Sequence, residues 1–417
     1  MRPGGFERKV QPLNTNSVLL QRLQRAGKED FNIMLFDEAF RKETEELLAN
    51  LVRIKSTNPP GDEDEIAFFA KSFLEDRNVS CQIVPLEKGR SSILARIEGR
   101  EPGSVLLCGH FDTVRVKEEL WSVPPFEAKI IDDQLWGRGA ADMKAGVAVI
   151  MKLASWVAGW PHKPKKTLMV ALTADEENGF GGARSLVREN LLDDVEFLVI
   201  TEPTQGRPYV GEKGALWLRV LFHGRAGHGS VPHLGASTVL PACRYVCKLM
   251  EFIARLETVD GRGRTTINVG EFHGGRQINV IAASTELKID LRLVSRDHRE
   301  RILENSQQIA EKIAAETDTT FEQEIIRYQE PRAGDPAGEW VKNFLESAER
   351  VTGERIKAEI VPYATDGAVI APALSISHVV CGPGSIAQAH QPDEYVKLTS
   401  LHDTAEIIAE FLRSALD

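Results

Sequence analysis

The chain has little of what marks several large protein classes. No run of about 18 uncharged apolar residues occurs anywhere in it, so it offers no candidate for a helix that spans a membrane. Cysteine is scarce: Cys81, Cys108, Cys243, Cys247 and Cys381 are five in number, and none forms a C-x-x-C pair. An odd count without paired spacing argues against a disulfide framework. Cys243 and Cys247, four apart in a helical pattern, lack the other half of a zinc finger, and the reading is free, buried thiols in a reducing compartment. A basic excess is also missing. The formal net charge of -10 argues against a nucleic-acid binder. No G-x-S-x-G elbow and no H-E-x-x-H pair is present, which disfavours a serine hydrolase of that type and a zincin. The N-terminus is no secretory leader, because Arg2, Glu7, Arg8 and Lys9 are followed by polar residues and not by an apolar run. A cytoplasmic location follows as an expectation.

What is present suffices for a large folded body. The 417 residues are 42% hydrophobic and 27% charged, enough for two domains or more. Residues 1–35 read as an N-terminal extension. Helical spacing of apolar residues predicts helices over about 36–54 and 63–76, separated by the breaker Ser56-Thr57-Asn58-Pro59-Pro60-Gly61. Strands follow at about 81–86, 92–97, 104–108, 167–172 and 196–200, with helices near 145–157 and from 182. The 104–108 strand is apolar throughout, as a central strand buried on both faces should be. This alternation predicts an α/β fold with a mixed, largely parallel sheet covered by helices, spanning 36–212 and returning at 329–417. The returning part should hold a helix at 339–351 and strands near 361 and 379.

Between these parts the texture changes. Leu216, Leu218, Val220 and Phe222 alternate as in a strand with one buried side. A β-α-β-β-α-β order over 213–328, with strands near 265–269, 286–293 and 320–327, predicts an inserted α+β domain with an antiparallel sheet.

Several polar residues stand just after predicted strand ends, where open α/β sheets bind ligands. His110 and Asp112 form a His-x-Asp pair. A metal-binding histidine usually gives its second ring nitrogen to a carboxylate, and Asp112 is placed for that. Asp142 sits in the glycine-rich Gly137-Arg138-Gly139-Ala140-Ala141-Asp142 segment; alone it reads as a helix N-cap. Glu176 and Glu177 are adjacent acids after an apolar strand, and alone they read as a solvated loop. Glu202 and His390, taken singly, are ordinary loop residues.

Together these segments resemble one family. Gly109-His110-Phe111-Asp112-Thr113-Val114, residues 137–146, Asp175-Glu176-Glu177, Thr201-Glu202-Pro203-Thr204 and Ala389-His390-Gln391-Pro392-Asp393-Glu394 occur in order at suitable spacing. The chain resembles the family of acetylornithine deacetylase, succinyl-diaminopimelate desuccinylase, aminoacylase and carboxypeptidase G, from about residue 36 to its end. The resemblance implies a zinc-peptidase-like catalytic domain and a ferredoxin-like dimerisation domain. It implies two divalent metal ions, zinc first, with cobalt or manganese as alternatives. His110 and Glu202 would hold one, Glu177 and His390 the other, and Asp142 would bridge them across a cis Asp142–Met143 peptide. Glu176 would be the general base, with Asp112 orienting His110. His228, in Arg225-Ala226-Gly227-His228-Gly229-Ser230, would reach the partner subunit's site and steady the oxyanion, which implies a homodimer. Asn279, Arg292 and Thr365 match substrate-contacting positions, and Lys213 would add a positive charge there.

The implied reaction is hydrolysis of the amide bond of a small N-acyl amino acid. A carboxypeptidase or dipeptidase acting on short peptides uses the same chemistry and remains open. So does an unusual C–N hydrolase acting on an aromatic or pyrimidine amine. A non-catalytic metal-binding protein is the remote alternative, and every ligand position and Glu176 being filled argues against it.

Overall fold

Residues 37–417 are described by the structure, a computed structural model, and the expected extension at 1–35 lies outside them. The described residues begin with two helices, α1 (Glu38–Arg53) and α2 (Asp64–Glu75), whose apolar sides are buried. Five strands follow: β1 (Ser80–Glu87), β2 (Arg90–Ile97), β3 (Ser104–His110), β4 (Thr167–Thr173) and β5 (Val195–Pro203). Helix α3 (Ala145–Ala158) connects β3 to β4, and α4 (Gly181–Arg188) connects β4 to β5.

The chain then leaves this sheet to build a second one. Strands β6 (Gly214–His223), β7 (Thr266–Gly274), β8 (Ser284–Leu293) and β9 (Thr320–Gln329) form it, with helices α5 (Val239–Ala254) and α6 (Arg296–Thr317) between them. The return path carries α7 (Glu339–Thr352), α8 (Gly367–Leu374), the strand β10 (Ser377–Gly382) and α9 (Leu398–Leu416).

The first sheet has the order β1-β2-β4-β3-β5-β10. β4, β3, β5 and β10 are parallel neighbours; β1, β2 and β4 pair antiparallel. β3 is central, and its side chains divide between two cores. Val105 and Leu107 pack with Val149, Leu153 and Phe411 on one face, while Leu106 and Cys108 pack with Met169, Leu198 and Ile370 on the other. Burial on both faces is why this strand reads as one continuous apolar run.

The second sheet is antiparallel, in the order β7-β8-β6-β9. Leu216, Leu218, Val220, Leu287, Ile289 and Leu291 point to α5 and α6, which cover one face. Their neighbours Trp217, Arg219, Asp290 and Arg292 point to the other, as strand alternation requires.

Three expectations change. The strand expected to end at 269 continues to Gly274, with a bulge at Gly270 that lets the pairing with β8 resume at Glu271. No strand forms near 361, where Val361 makes only an isolated bridge with Glu212. Cys243 and Cys247 are exposed, and Cys81 is half-buried; only Cys108 and Cys381 are the buried thiols expected. α5 buries Ala242, Tyr245, Leu249 and Ile253 instead, turning its two cysteines outward.

Candidate metal centre

The carboxyl ends of the parallel strands converge on one cluster. His110 closes β3, Glu202 lies near the end of β5, and Glu176 and Glu177 follow the end of β4. His390 arrives on the loop after β10. Asp142 comes from the irregular turn Ala140–Lys144 that leads into α3, with φ -122° and ψ 94°, and the Asp142–Met143 peptide is cis. Gly139 opens this turn at φ 81°, and a Cβ there would stand 2.5 Å from Thr113 Cγ2. The N-cap reading of Asp142 fails, since the N-cap of α3 is Lys144, with no side-chain cap, and the Asp142 carboxylate turns elsewhere.

It turns to both histidines. Asp142 Oδ1 is 3.2 Å from His110 Nε2, and Asp142 Oδ2 is 3.4 Å from His390 Nε2. His110 Nε2 also lies 3.5 Å from Glu202 Oε1 and 4.0 Å from Glu176 Oε2. His390 Nε2 lies 2.9 Å from Glu177 Oε2. His110 is buried, while the His390 side chain is 52% exposed, so the cluster opens on the His390 side.

A scaffold of buried polar groups fixes these side chains. His110 Nδ1 bonds the main-chain carbonyl of Asp112 at 2.9 Å, with the carboxylate farther off at 3.7 Å. Orientation of His110 therefore runs through the Asp112 backbone. The Asp112 carboxylate does something else: it accepts the main-chain N–H of Glu176 at 3.0 Å, that of Glu177 at 3.1 Å, and Asn58 Nδ2 at 2.9 Å. Asn58 Nδ2 also donates to Asp175 Oδ1, which pairs with Arg90; Arg90 in turn pairs with the buried Glu63. The 175–177 turn is thus clamped from below.

Glu394 clamps the Asp142 turn in the same way. It is fully buried and accepts the N–H groups of Gly139, Ala141 and Asp142 together with the Arg138 guanidinium. Sequence reasoning quoted Glu394 and Asn58 only as parts of motifs and gave them no role.

The electrostatics ask for cations. Burial pushes Glu176 well above the usual carboxylate range and raises Glu177. Burial, with Asp142 beside it, lifts Glu202 to about 8. Burial would depress His110, but bonds to Asp142 and Glu202 hold it well above the ordinary histidine value. Bonds to Asp142 and Glu177 lift His390 to about 10. Glu177 Oε1 is buried and has no hydrogen-bond partner among the described residues. Four carboxylates face two imidazoles, and positive charge is what the cluster lacks. Mixed imidazole and carboxylate donors suit a divalent ion of the zinc, cobalt or manganese type. His110, Glu176 and Glu202, and separately His110, Asp142 and Glu177, bring donor atoms within 4.8 Å of one another. A further group, Glu257, Asp297 and His298, already has the Arg301 guanidinium on both acids.

The remaining sequence-derived residues lie apart from this cluster or beneath it. His228 is exposed and faces Ser230 Oγ at 2.8 Å; among the described residues no hydrogen bond or ion pair joins it to the cluster. Asn279 is exposed, and its carbonyl accepts Gly229 N–H. Arg292 pairs with Asp290 at 3.0 Å. Lys213 donates to the Arg264 carbonyl. Thr365 is fully buried, and its hydroxyl and N–H both donate to Glu212 Oε2. Its hydroxyl is spent under the site, so the chain's own Thr365 supports the floor and offers no open contact to a substrate.

Glu212 gives a stability prediction. Burial pushes its carboxyl up to about 8 from an ordinary 4.5, against the bonds from Thr365. The folded state therefore holds the proton more tightly, and stability falls as pH rises through that interval. Glu212→Gln keeps an oxygen for Thr365 and removes the dependence. In urea melts, the variant is expected to gain on the wild type between about pH 5 and pH 8.5. A difference that does not vary with pH would contradict this.

The sequence pattern of peptidase family M20/M25/M40 matches residues 106–414, most of the chain. The chain belongs to this family. It is a metallohydrolase of amide bonds. It is 31% identical to an acetylornithine deacetylase of Photorhabdus laumondii over 344 residues, 80% of this chain and 85% of that protein. It is 30% identical to an acetylornithine deacetylase of Vibrio campbellii over 379 residues, covering 88% and 96%. Among solved structures, a tripeptidase of Staphylococcus aureus superposes with TM-score 0.77 at 22% identity, over 90% of this chain and 98% of that one. M20 membership agrees with the mixed α/β sheet and with the family resemblance of the motifs.

Proposed function

We propose that this M20 chain is an N-acyl-amino-acid deacylase with two divalent ions at the cluster. The supporting observation is Asp142, which presents one carboxylate oxygen to each histidine. His110 and Glu202 would hold one ion, Glu177 and His390 the other, with Asp142 common to both. Zinc is the first choice, with cobalt and manganese as alternatives. Bound there, such ions would polarise the amide carbonyl and lower the pKa of water toward 7.

The chain's own residues do the proton work. Glu176, buried and clamped through its N–H by Asp112, takes a proton from the attacking water as the water oxygen adds to the amide carbon. Burial raises its carboxyl above the usual carboxylate range, the direction that favours holding that proton. Glu176 then delivers the proton to the nitrogen as the C–N bond breaks, leaving a carboxylic acid and a free amine. A substrate enters from the His390 side, where the cluster is open.

The test is a hydrolysis screen of dialysed protein with N-acetyl, N-succinyl and N-formyl amino acids beside dipeptides, with and without zinc, cobalt or manganese. Metal-dependent release from an acyl amino acid is the expected result. Turnover of dipeptides alone would favour the peptidase reading, to which the tripeptidase-like fold lends weight.

We also read the chain as a cytoplasmic homodimer joined through 213–328. No helix of the described residues is long and apolar enough to cross a membrane. Leu234, Leu240 and Ile278 stand exposed near His228, which bridges to Val280, and this apolar surface suits a second copy. A second copy would also give His228 a site to reach. Light scattering is expected to report a dimer, and a fully active monomer would remove the reading.

A further inference from the structure

The helix-free face of the second sheet carries a row of cations. Arg219 lies 2.9 Å from Glu286, Lys288 2.9 Å from Glu271, and Arg292 3.0 Å from Asp290. Each has its charge answered within the chain. Arg327, on β9 of the same face, is different. Among the described residues no carboxylate lies within ion-pair distance of it and no group accepts a hydrogen bond from it. Its guanidinium carbon sits 4.8 Å from the Phe180 ring centre and 5.2 Å from that of Trp217.

Those two rings come from the two sheets' separate parts. Trp217 lies opposite Arg327 on β6, and its indole N–H is tied to Asp290 at 3.0 Å. Phe180 lies at the start of α4, four residues after Glu176. A bulge makes this placement possible. β9 pairs Ile325 with Leu218 and then Arg327 with Trp217, leaving Ile326 as the extra residue. Without that residue, alternation would turn Arg327 toward α5 and α6. The bulge turns it to the face that meets the catalytic part. Burial weakens the hydration of its charge, and Glu176 is the strongest charge acting on it.

We propose that Arg327, held between Phe180 and Trp217, recognises a carboxylate of the substrate at the mouth of the site; this rests on the deacylase reading above. The two ring contacts restrain the guanidinium, and its N–H groups, which no carboxylate among the described residues takes up, can meet a carboxylate side-on. Arg292 is the weaker candidate for that role, because Asp290 already takes its charge. The carboxylate can belong to the amino acid or to the acyl group, and the two sources separate in the test.

The experiment measures kcat and KM for N²-acetylornithine and for its α-carboxamide, and for an N-succinyl and an N-butyryl amino acid. It uses metal-loaded wild type, Arg327→Gln and Arg327→Lys. For the substrate whose carboxylate is bound, Arg327→Gln is expected to raise KM about 10- to 100-fold with kcat within about threefold. Its uncharged counterpart should change less than about threefold. Loss of the acid-over-amide preference locates the α-carboxylate; loss of the succinyl-over-butyryl preference locates the acyl carboxylate. Arg327→Lys keeps the charge but not the fork, and is expected to fall between. It also carries the test if the glutamine variant does not fold. Equal losses on charged and uncharged substrates would mean that Arg327 only staples the two parts together, and would overturn the proposal, as would no loss at all. Wild type that turns over none of the four, with metal bound, would overturn the deacylase reading itself.

Discussion

Glu176→Gln is expected to lower kcat by about 10²- to 10⁴-fold while metal content stays at the wild-type level. The amide matches the carboxylate in shape but cannot take a proton from water. Glu176 lies 4.0 Å from His110 Nε2, whereas Asp142 and Glu202 stand closer to that nitrogen. Removing its charge should therefore spare the ion-binding set. The main-chain N–H that anchors the residue to Asp112 is untouched by the substitution, so the fold of the turn should hold. Steady-state kinetics with metal analysis of the same sample checks this. Activity within about tenfold of wild type would take the base role away from Glu176.

Asp142→Ala should have a still larger effect, and a different one. Asp142 is the residue that faces both histidines. Its loss removes a donor from each ion at once, so both metals should be lost on dialysis and turnover should become undetectable. Stability gives an independent reading. A ligand at about 100 times its dissociation constant stabilises the folded state by about 2.7 kcal/mol. Added zinc should thus raise the melting temperature of the wild type and leave that of the variant unchanged. A variant that still binds two ions would show that Asp142 does not bridge.

Much of this was legible in the sequence, and for physical reasons. Residues 105–108 read as a central strand because both faces of β3 are buried. The second sheet was legible because only one of its faces is covered by helices, so Leu216, Leu218 and Val220 alternate cleanly with polar neighbours. The cluster residues were picked out together by the family resemblance of their motifs; singly they read as loop or cap residues, although His110, Glu176, Glu177 and Glu202 stand at strand ends.

The supporting shell was not legible. Glu394 reaches Gly139, Ala141 and Asp142 from more than 250 positions away, and no local pattern announces such a contact. Asn58 sits in a proline-rich breaker whose punctuation hides its bonds to Asp112 and Asp175. The two exposed cysteines of α5 were misread because cysteine is usually buried, and only the packed helix shows which side faces the sheet. The pairing of Arg292 with Asp290 was within reach, since residues two apart on a strand share a face. Arg327 was not, because its facing depends on a bulge that the sequence does not mark.

The proposed centre is a pair of divalent ions held by His110, Asp142, Glu177, Glu202 and His390. Its most direct test is a zinc titration of the metal-free chain, with bound metal and hydrolysis of N²-acetylornithine read at every point. Two equivalents are expected to bind per chain, with turnover rising as they fill and vanishing again under a chelator. Saturation at fewer than two equivalents, or hydrolysis that persists in the chelated protein, would contradict it.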